Sequence, residues 1–343
     1  MADSAVARLW RRVRQKFDAD AAQLHRIFLP EPDGIRMTPN DSYLRLWLSE
    51  LFLAKAVEWG VERSPAVQAS VRLLFDGVTP KTFATLAQPK PQADGHGIAE
   101  DYQLTELLPY LGQSVELEAG LYEILGANNL RTAIDIVTDF ASLVVPPVSA
   151  ALTVVDKVAS GIEKVITANA TDPVLALHGT LAAPGGGLTN ELRPGWLAVV
   201  RATEAELPAA SLQIRDGRLH RDGHRLTGFD YMVLRVEGRA TREDWRTPDL
   251  DRAVMEALYA RDIGRAEEFE RLRAEALSRI YFSADLTPGQ RKQVAVSVKE
   301  EMSETAPGAV ALGEMTLAAI VERRGLPARQ EVRDLTLEEL LTA

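Results

Sequence analysis

The chain contains no cysteine, which excludes disulfides, thiol catalysis, Cys-ligated zinc and iron–sulfur clusters. Aromatic side chains are scarce, at 6% of 343 residues. No window reaches the roughly 18 uncharged apolar residues of a membrane-spanning helix. Residues 1–29 lack an apolar stretch followed by a small-residue cleavage site, so no secretory signal is expected. Positive charge is in deficit: 39 Lys and Arg stand against 49 Asp and Glu, a net −10. That argues against a chain-wide nucleic-acid surface, since phosphate binding needs a basic field. Walker A, Gly-x-Gly-x-x-Gly and Gly-x-Ser-x-Gly patterns are missing, and with them the common nucleotide loops and the esterase elbow. No internal repeat or low-complexity tract is present.

What remains is ordinary globular material, 46% hydrophobic and 26% charged, long enough for two domains. The expected fold class is α+β: an N-terminal β-sandwich-like region, a kinked helical connector, and a C-terminal antiparallel sheet followed by helices. The expected segments are an amphipathic helix over 1–30, a sandwich-like domain over 31–127, the connector over 128–170, an α+β domain over 171–303, and a tail with short helices over 304–343.

In the first segment Val6, Leu9, Trp10, Val13 and Phe17 recur at helical spacing, one apolar stripe with Arg and Lys on the other faces. Leu24, Ile27 and Phe28 extend that stripe, and Pro30 and Pro32 end it. Such a helix docks on the body of the protein or lies on a partner or an anionic membrane. From Gly34 the period drops to two: Leu44, Leu46 and Leu48 alternate with Arg45, Trp47 and Ser49, with a bulge expected at Ser49-Glu50. Residues 69–75, 82–86 and 115–121 read as further strands, and the Pro- and Gly-rich stretch 89–100 as an exposed loop.

The connector carries an uncharged run, Ala141 to Val155, bracketed by Asp139 and Asp156 and interrupted by Pro146-Pro147. Fifteen helical residues at about 1.5 Å each reach only about 22 Å, short of a hydrocarbon core of about 30 Å. Burial is therefore the expected fate of the run. Beyond it, Val174–Leu177 and Trp196–Arg201 read as strands, with a flexible loop at residues 183–187 between them. Asp216-Gly217 and Asp222-Gly223 mark a meander, and Phe229 to Glu237 a central strand. Helices follow at Thr247-Pro248, residues 266–281, Thr287-Pro288 and 312–324, and Thr336 with Glu339 forms a capping box.

Candidate chemistry is thin. His220 and His224 straddle a turn, a spacing that matches no zinc motif. His220-Arg221-Asp222 copies a kinase catalytic-loop tripeptide, but Thr227 stands where the companion Asn is required. Leu177-His178-Gly179 lies at a strand end without a nucleophile. Glu116 and Glu118 share a strand face, which reads as a solvated sheet surface. No catalytic residue, metal ligand or cofactor is expected. The expected function is a non-catalytic cytoplasmic interaction or regulatory protein whose partner is another protein. The candidate contact surface is Leu9, Trp10, Val13 and Phe17 on the helix, with Arg45 and Trp47 on the sheet. The alternative is a membrane-active effector, of the kind bacterial defence and stress systems use, triggered by conformational change or cleavage in the 89–100 loop. An enzyme with an unrecognised site is the third possibility.

Overall fold

The computed structural model describes residues 5–54, 57–58, 61–75, 79–87, 101–125, 172–182, 191–242, 248–303 and 326–342. The 89–100 loop, the connector with its Ala141–Val155 run, the 183–187 loop and the expected 312–324 helix lie outside them.

In chain order the elements are α1 (Ala5–Asp20), β1 (Leu24–Pro30), β2 (Ser42–Phe52), β3 (Val57–Glu58), β4 (Val61–Phe75), β5 (Thr79–Ala87), β6 (Tyr102–Gln103), β7 (Leu108–Tyr110) and β8 (Val115–Leu125). After the connector come β9 (Leu175–Leu181), β10 (Gly195–Arg201), β11 (Leu212–Arg215), β12 (Arg218–Arg221), β13 (His224–Arg225) and β14 (Tyr231–Arg239). Helices close the chain: α2 (Pro248–Asp262), α3 (Ala266–Tyr281), α4 (Pro288–Ser303) and α5 (Leu337–Leu341). Antiparallel sheets followed by helices make this an α+β fold.

The chain divides into two compact units. The first comprises residues 1–37, 44–108 and 112–238, and the second 38–43, 109–111 and 239–343. In the first unit one sheet runs β1-β10-β14-β2-β6, with β7 also paired to β2. A second runs β3-β4-β8-β9 with β5 on β4, and β11-β12-β13 form a small third sheet. The 31–127 and 171–303 segments therefore interleave instead of folding side by side, because β9 pairs with β8 and β10 and β14 join β1 and β2 in one sheet. The strand expected at 229–237 is the middle strand of its sheet, and pairs Leu234 with Leu197 and Val233 with Ala198.

Two local expectations are corrected. The N-terminal helix stops at Asp20, and Leu24 to Pro30 form a strand. A short apolar run suits either state, and pairing with β10, from Leu24 opposite Arg201 to Pro30 opposite Gly195, decides it. No break interrupts β2 at Ser49-Glu50. The alternation lapses there because Ser49 and Glu50 are both buried. Both Asp-Gly hairpins form as expected: Asp216 and Gly217 have φ of 50° and 73°, Asp222 and Gly223 50° and 84°. Positive φ at both central positions matches the strand twist.

In the second unit Leu250, Val254 and Leu258 of α2, Leu277 and Ile280 of α3, and Val294, Val298 and Met302 of α4 form one core. Their spacing of three and four residues puts them on one face of each helix. The last helix docks on it through Leu340, and Lys299 Nζ donates to the carbonyls of Glu339 and Thr342. Tyr43 is fully buried, and its hydroxyl accepts the Thr287 backbone N–H at 2.9 Å. Burial raises the Tyr43 pKa, so this oxygen stays neutral. Tyr43→Phe leaves that N–H unpaired in a buried site. A loss of about 1–3 kcal/mol is expected by urea denaturation.

The capping box of α5 is complete: Thr336 Oγ1 accepts from the Glu339 N–H, and the Glu339 carboxylate accepts the Thr336 N–H at 2.8 Å. That backbone bond, with a second from the Thr336 hydroxyl, holds the Glu339 carboxyl below its ordinary pKa. A depressed carboxylate stabilises the fold above its unfolded pKa and loses that contribution as pH falls through the folded value. The prediction is that α5 frays only below the ordinary carboxylate range, seen as faster amide exchange around Leu340 after acidification, while Thr336→Ala shows the same fraying at neutral pH.

Candidate functional site

The second sheet of the first unit presents two faces with different chemistry. Its outer face is built on β4, β8 and β9, whose register sets Arg72 opposite Glu116 and both Ser70 and His178 opposite Glu118. Helix α1 covers this face. Trp10, Val13 and half-buried Phe17 pack on Ala176, and Gly120 permits the approach: a Cβ there would lie 3.2 Å from Val13 Cγ2 and 2.9 Å from Tyr122 Cε2. Tyr122 is buried beside it, with its hydroxyl on Gln68 Oε1 at 3.1 Å, and burial raises its pKa. The face expected to be solvated is thus a second interior, and Glu118 is buried within it.

Glu116, Glu118 and His178 converge here, with one ligand atom from each lying within 4.8 Å of the others. Among the described residues this is the only trio of metal-ligand type so placed. It is already neutralised from inside the chain. Arg14 of α1 donates its Nε to Glu118 Oε1 at 2.5 Å and lies 3.5 Å from Glu116, which also meets Arg72 at 3.6 Å. The bond to Glu118 raises the Arg14 pKa. His178 Nδ1 stands 3.1 Å from the same Glu118 oxygen, but outside hydrogen-bond geometry. The His178 ring meets Phe17 edge-on at 6.2 Å. A Glu2His set could hold a divalent cation only if Arg14 were displaced. As it stands, the cluster pins α1 to the sheet by charge.

The inner face of the same strands looks toward β1 and β10. Between them lies a pocket of about 280 Å³ whose walls are mainly leucine and phenylalanine, with Arg26 and Thr180 also in the lining.

The large sheet carries a third feature. Across β10, β14 and β2 runs a half-buried ladder of tryptophan and arginine. Arg235 is paired in register with Trp196, and its guanidinium lies 5.3 Å from that ring centroid. Arg45 sits 5.2 Å from the ring of Trp47. Trp47 Nε1 donates to Glu237 Oε2 at 2.7 Å, and Arg235 pairs with Glu31 at 2.9 Å. Trp196 Nε1 is buried and has no acceptor among the described residues.

The six residues singled out from the sequence thus fall in two places. Trp10 and Val13 are buried under α1, Phe17 is half-buried beside them, and Leu9 lies on the same helix. Arg45 and Trp47 are half-buried on the large sheet. His220 and His224 do not converge on a site; each Nδ1 lies near a backbone carbonyl of its own hairpin, at 3.0 and 3.2 Å. Sequence reasoning missed Trp196 and Arg235, which join Trp47 only through the β10-β14-β2 order. It also missed that His178 meets Glu118, a consequence of the β8–β9 register.

Comparison with protein-family models, curated proteins and solved structures finds no match to this chain. Among the described residues no helix is long and apolar enough to cross a membrane.

Proposed function

We propose that the protein is a non-catalytic interaction or regulatory protein that works through protein–protein contacts. The observation that carries this reading is the Trp47–Arg45–Glu237 and Trp196–Arg235 ladder. Tryptophan and arginine dominate binding hot spots, because a large ring and a planar cation gain most from desolvation on contact. Two such pairs side by side on three hydrogen-bonded strands give a rigid platform that needs little ordering to bind. The alternative of an enzyme draws less support. The trio of Glu116, Glu118 and His178 is occupied by Arg14 and Arg72, where a catalytic site holds a group ready for substrate. A cytoplasmic setting belongs to the same proposal.

The test is affinity capture with the full chain and with a Trp47→Ala, Trp196→Ala variant matched for thermal unfolding. The variant is expected to lose a partner that the parent retains. Retention of the same partner by the variant overturns the assignment of this face. Turnover of any substrate that is lost in Glu118→Gln overturns the non-catalytic reading itself.

A second reading, the membrane-active effector, draws on topology. Residues 126–171 join two strands that pair as a hairpin, with Val174 N bonded to Leu121 O. The uncharged 141–155 run thus sits in an insertion anchored at both ends on one sheet. Liposome flotation and dye leakage before and after limited proteolysis separate the readings, and no leakage in either state removes this one.

A further inference from the structure

We propose that the pocket between the two large sheets of the first unit is a binding site for a small amphipathic anion, an unbranched carboxylate of about seven or eight carbons. This goes beyond the interaction reading and does not depend on it. The walls come from both sheets: Phe28 of β1 and Leu197 of β10 on one side, Leu117 of β8 with Leu177 and Leu181 of β9 on the other. The volume of about 280 Å³ is close to the lower end for ligand sites. At about 30 Å³ per water-sized unit it holds about nine non-hydrogen atoms, close to the size of an octanoate ion.

A glycine makes the space. Gly179 lies on β9 between Leu177 and Leu181 on their face, opposite Leu117. A Cβ built there meets nothing within 4 Å, and its backbone has no positive φ. Neither chain conformation nor crowding requires glycine at this position. Its effect is to leave open the volume that a leucine like its neighbours would fill.

Cations set the sign of the ligand. Arg26 of β1 lines the pocket, and its guanidinium is stacked 5.4 Å from the Phe17 ring. Arg193 lies 4.8 Å from the ring of Phe28, which is part of the wall. Neither meets a carboxylate among the described residues. Elsewhere in this acidic chain arginines find one readily, as Arg14, Arg72, Arg225 and Arg235 do. Two solvent-exposed guanidinium groups that stack on aromatic faces and meet no carboxylate among the described residues, one of them in the wall of a largely apolar pocket, are complementary to a carboxylate head on an apolar tail.

The experiment is isothermal titration of the full-length protein with octanoate, octanol and butyrate below their aggregation limits, with thermal unfolding in parallel. Octanoate is expected to bind saturably and to raise the melting temperature. Octanol, which shares the tail, and butyrate, which shares the head, should each bind at least about tenfold more weakly. Gly179→Leu fills the pocket and should abolish octanoate binding. Arg26→Gln should reduce octanoate to the octanol level. Absence of saturable octanoate binding by the parent protein overturns the proposal, whether or not the variants fold. Equal binding of octanoate and octanol overturns the anionic assignment, and unchanged octanoate binding by a folded Gly179→Leu places the ligand elsewhere.

Discussion

Arg225→Met is expected to cost about 3–5 kcal/mol of folding stability, read as a fall in the urea midpoint of the first unit. The reason is Glu50. It sits near the end of β2 and is fully buried. Its Oε1 accepts from Arg225 Nε and Nη2 at 3.2 and 3.0 Å, and its Oε2 accepts the Leu219 N–H at 2.7 Å. The pair holds the three-stranded meander on the large sheet, over a core of Ile27, Phe52, Ala198, Val200, Leu219, Tyr231 and Val233. Phe52 and Tyr231 stack there at 5.3 Å, nearly parallel, and the Arg225 guanidinium lies 5.7 Å from the Phe52 ring. Burial, reinforced by the nearby Glu50 charge, raises the Tyr231 pKa, so Tyr231 stays a neutral donor, to the Leu226 carbonyl.

Removing the arginine strands a charge with no water around it. Removing Glu50 is the milder change. Arg225 is partly exposed and can turn toward solvent, so Glu50→Leu leaves chiefly the Leu219 N–H unpaired, at about 1–3 kcal/mol. The double variant Glu50→Leu, Arg225→Met should recover most of the single arginine loss, because a buried ion pair replaced whole by apolar groups is often close to neutral. Equal costs for the two single variants would show that burial of the charge is not what governs this contact.

Glu50 also shows what could be read from the sequence and what could not. A carboxylate inside Leu48-Ser49-Glu50-Leu51-Phe52 breaks both the alternation and the apolar run, and a bulge was the local way to reconcile it. Its actual partner lies 175 positions away in a hairpin, and no periodicity encodes that distance. The helices were legible because their information is local. The starts at Pro248, Pro288 and Leu337 follow from Pro at the first helical position and from the Thr336 capping box, and the buried faces follow from spacing. The Asp-Gly turns were legible for the same reason: the residue type dictates the φ sign.

Strand partnership was not legible. Leu24 to Pro30 reads equally as the end of a helix until Arg201 to Gly195 is laid beside it. The same holds for the sites. Glu116 and Glu118 on one face were visible from their spacing of two. That α1 covers them, and that His178 and Arg14 join them, depends on sheet order and helix docking. The pocket is further still from the sequence. Gly179 differs from a routine strand glycine only in what is missing around it.

Gly195→Ala is the second large effect, about 4 kcal/mol of destabilisation. The residue opens β10 opposite Pro30, at φ +149°, in the half of conformational space that L side chains rarely adopt. Holding alanine there costs about 1–3 kcal/mol. Its Cβ would also lie 2.6 Å from the Leu29 carbonyl oxygen, 2.8 Å from Phe28 Cζ and 2.9 Å from Pro30 Cα. Two of those three atoms are backbone, so no rotamer change relieves the overlap, and crowding of this kind adds about 1–3 kcal/mol. A second substitution, Phe28→Ala, should therefore fail to rescue the variant, since it removes only the one contact that could move. Gly179→Ala provides the contrast in the same unit. With open space around it and no positive φ, it should stay within about 0.5 kcal/mol of the parent. If the two alanine variants unfold at the same urea concentration, the close approach of β1 to Gly195 is not a constraint on the fold. If only Gly195→Ala falls, the seam between β1 and β10, which carries one wall of the pocket, depends on the absence of a single methyl group.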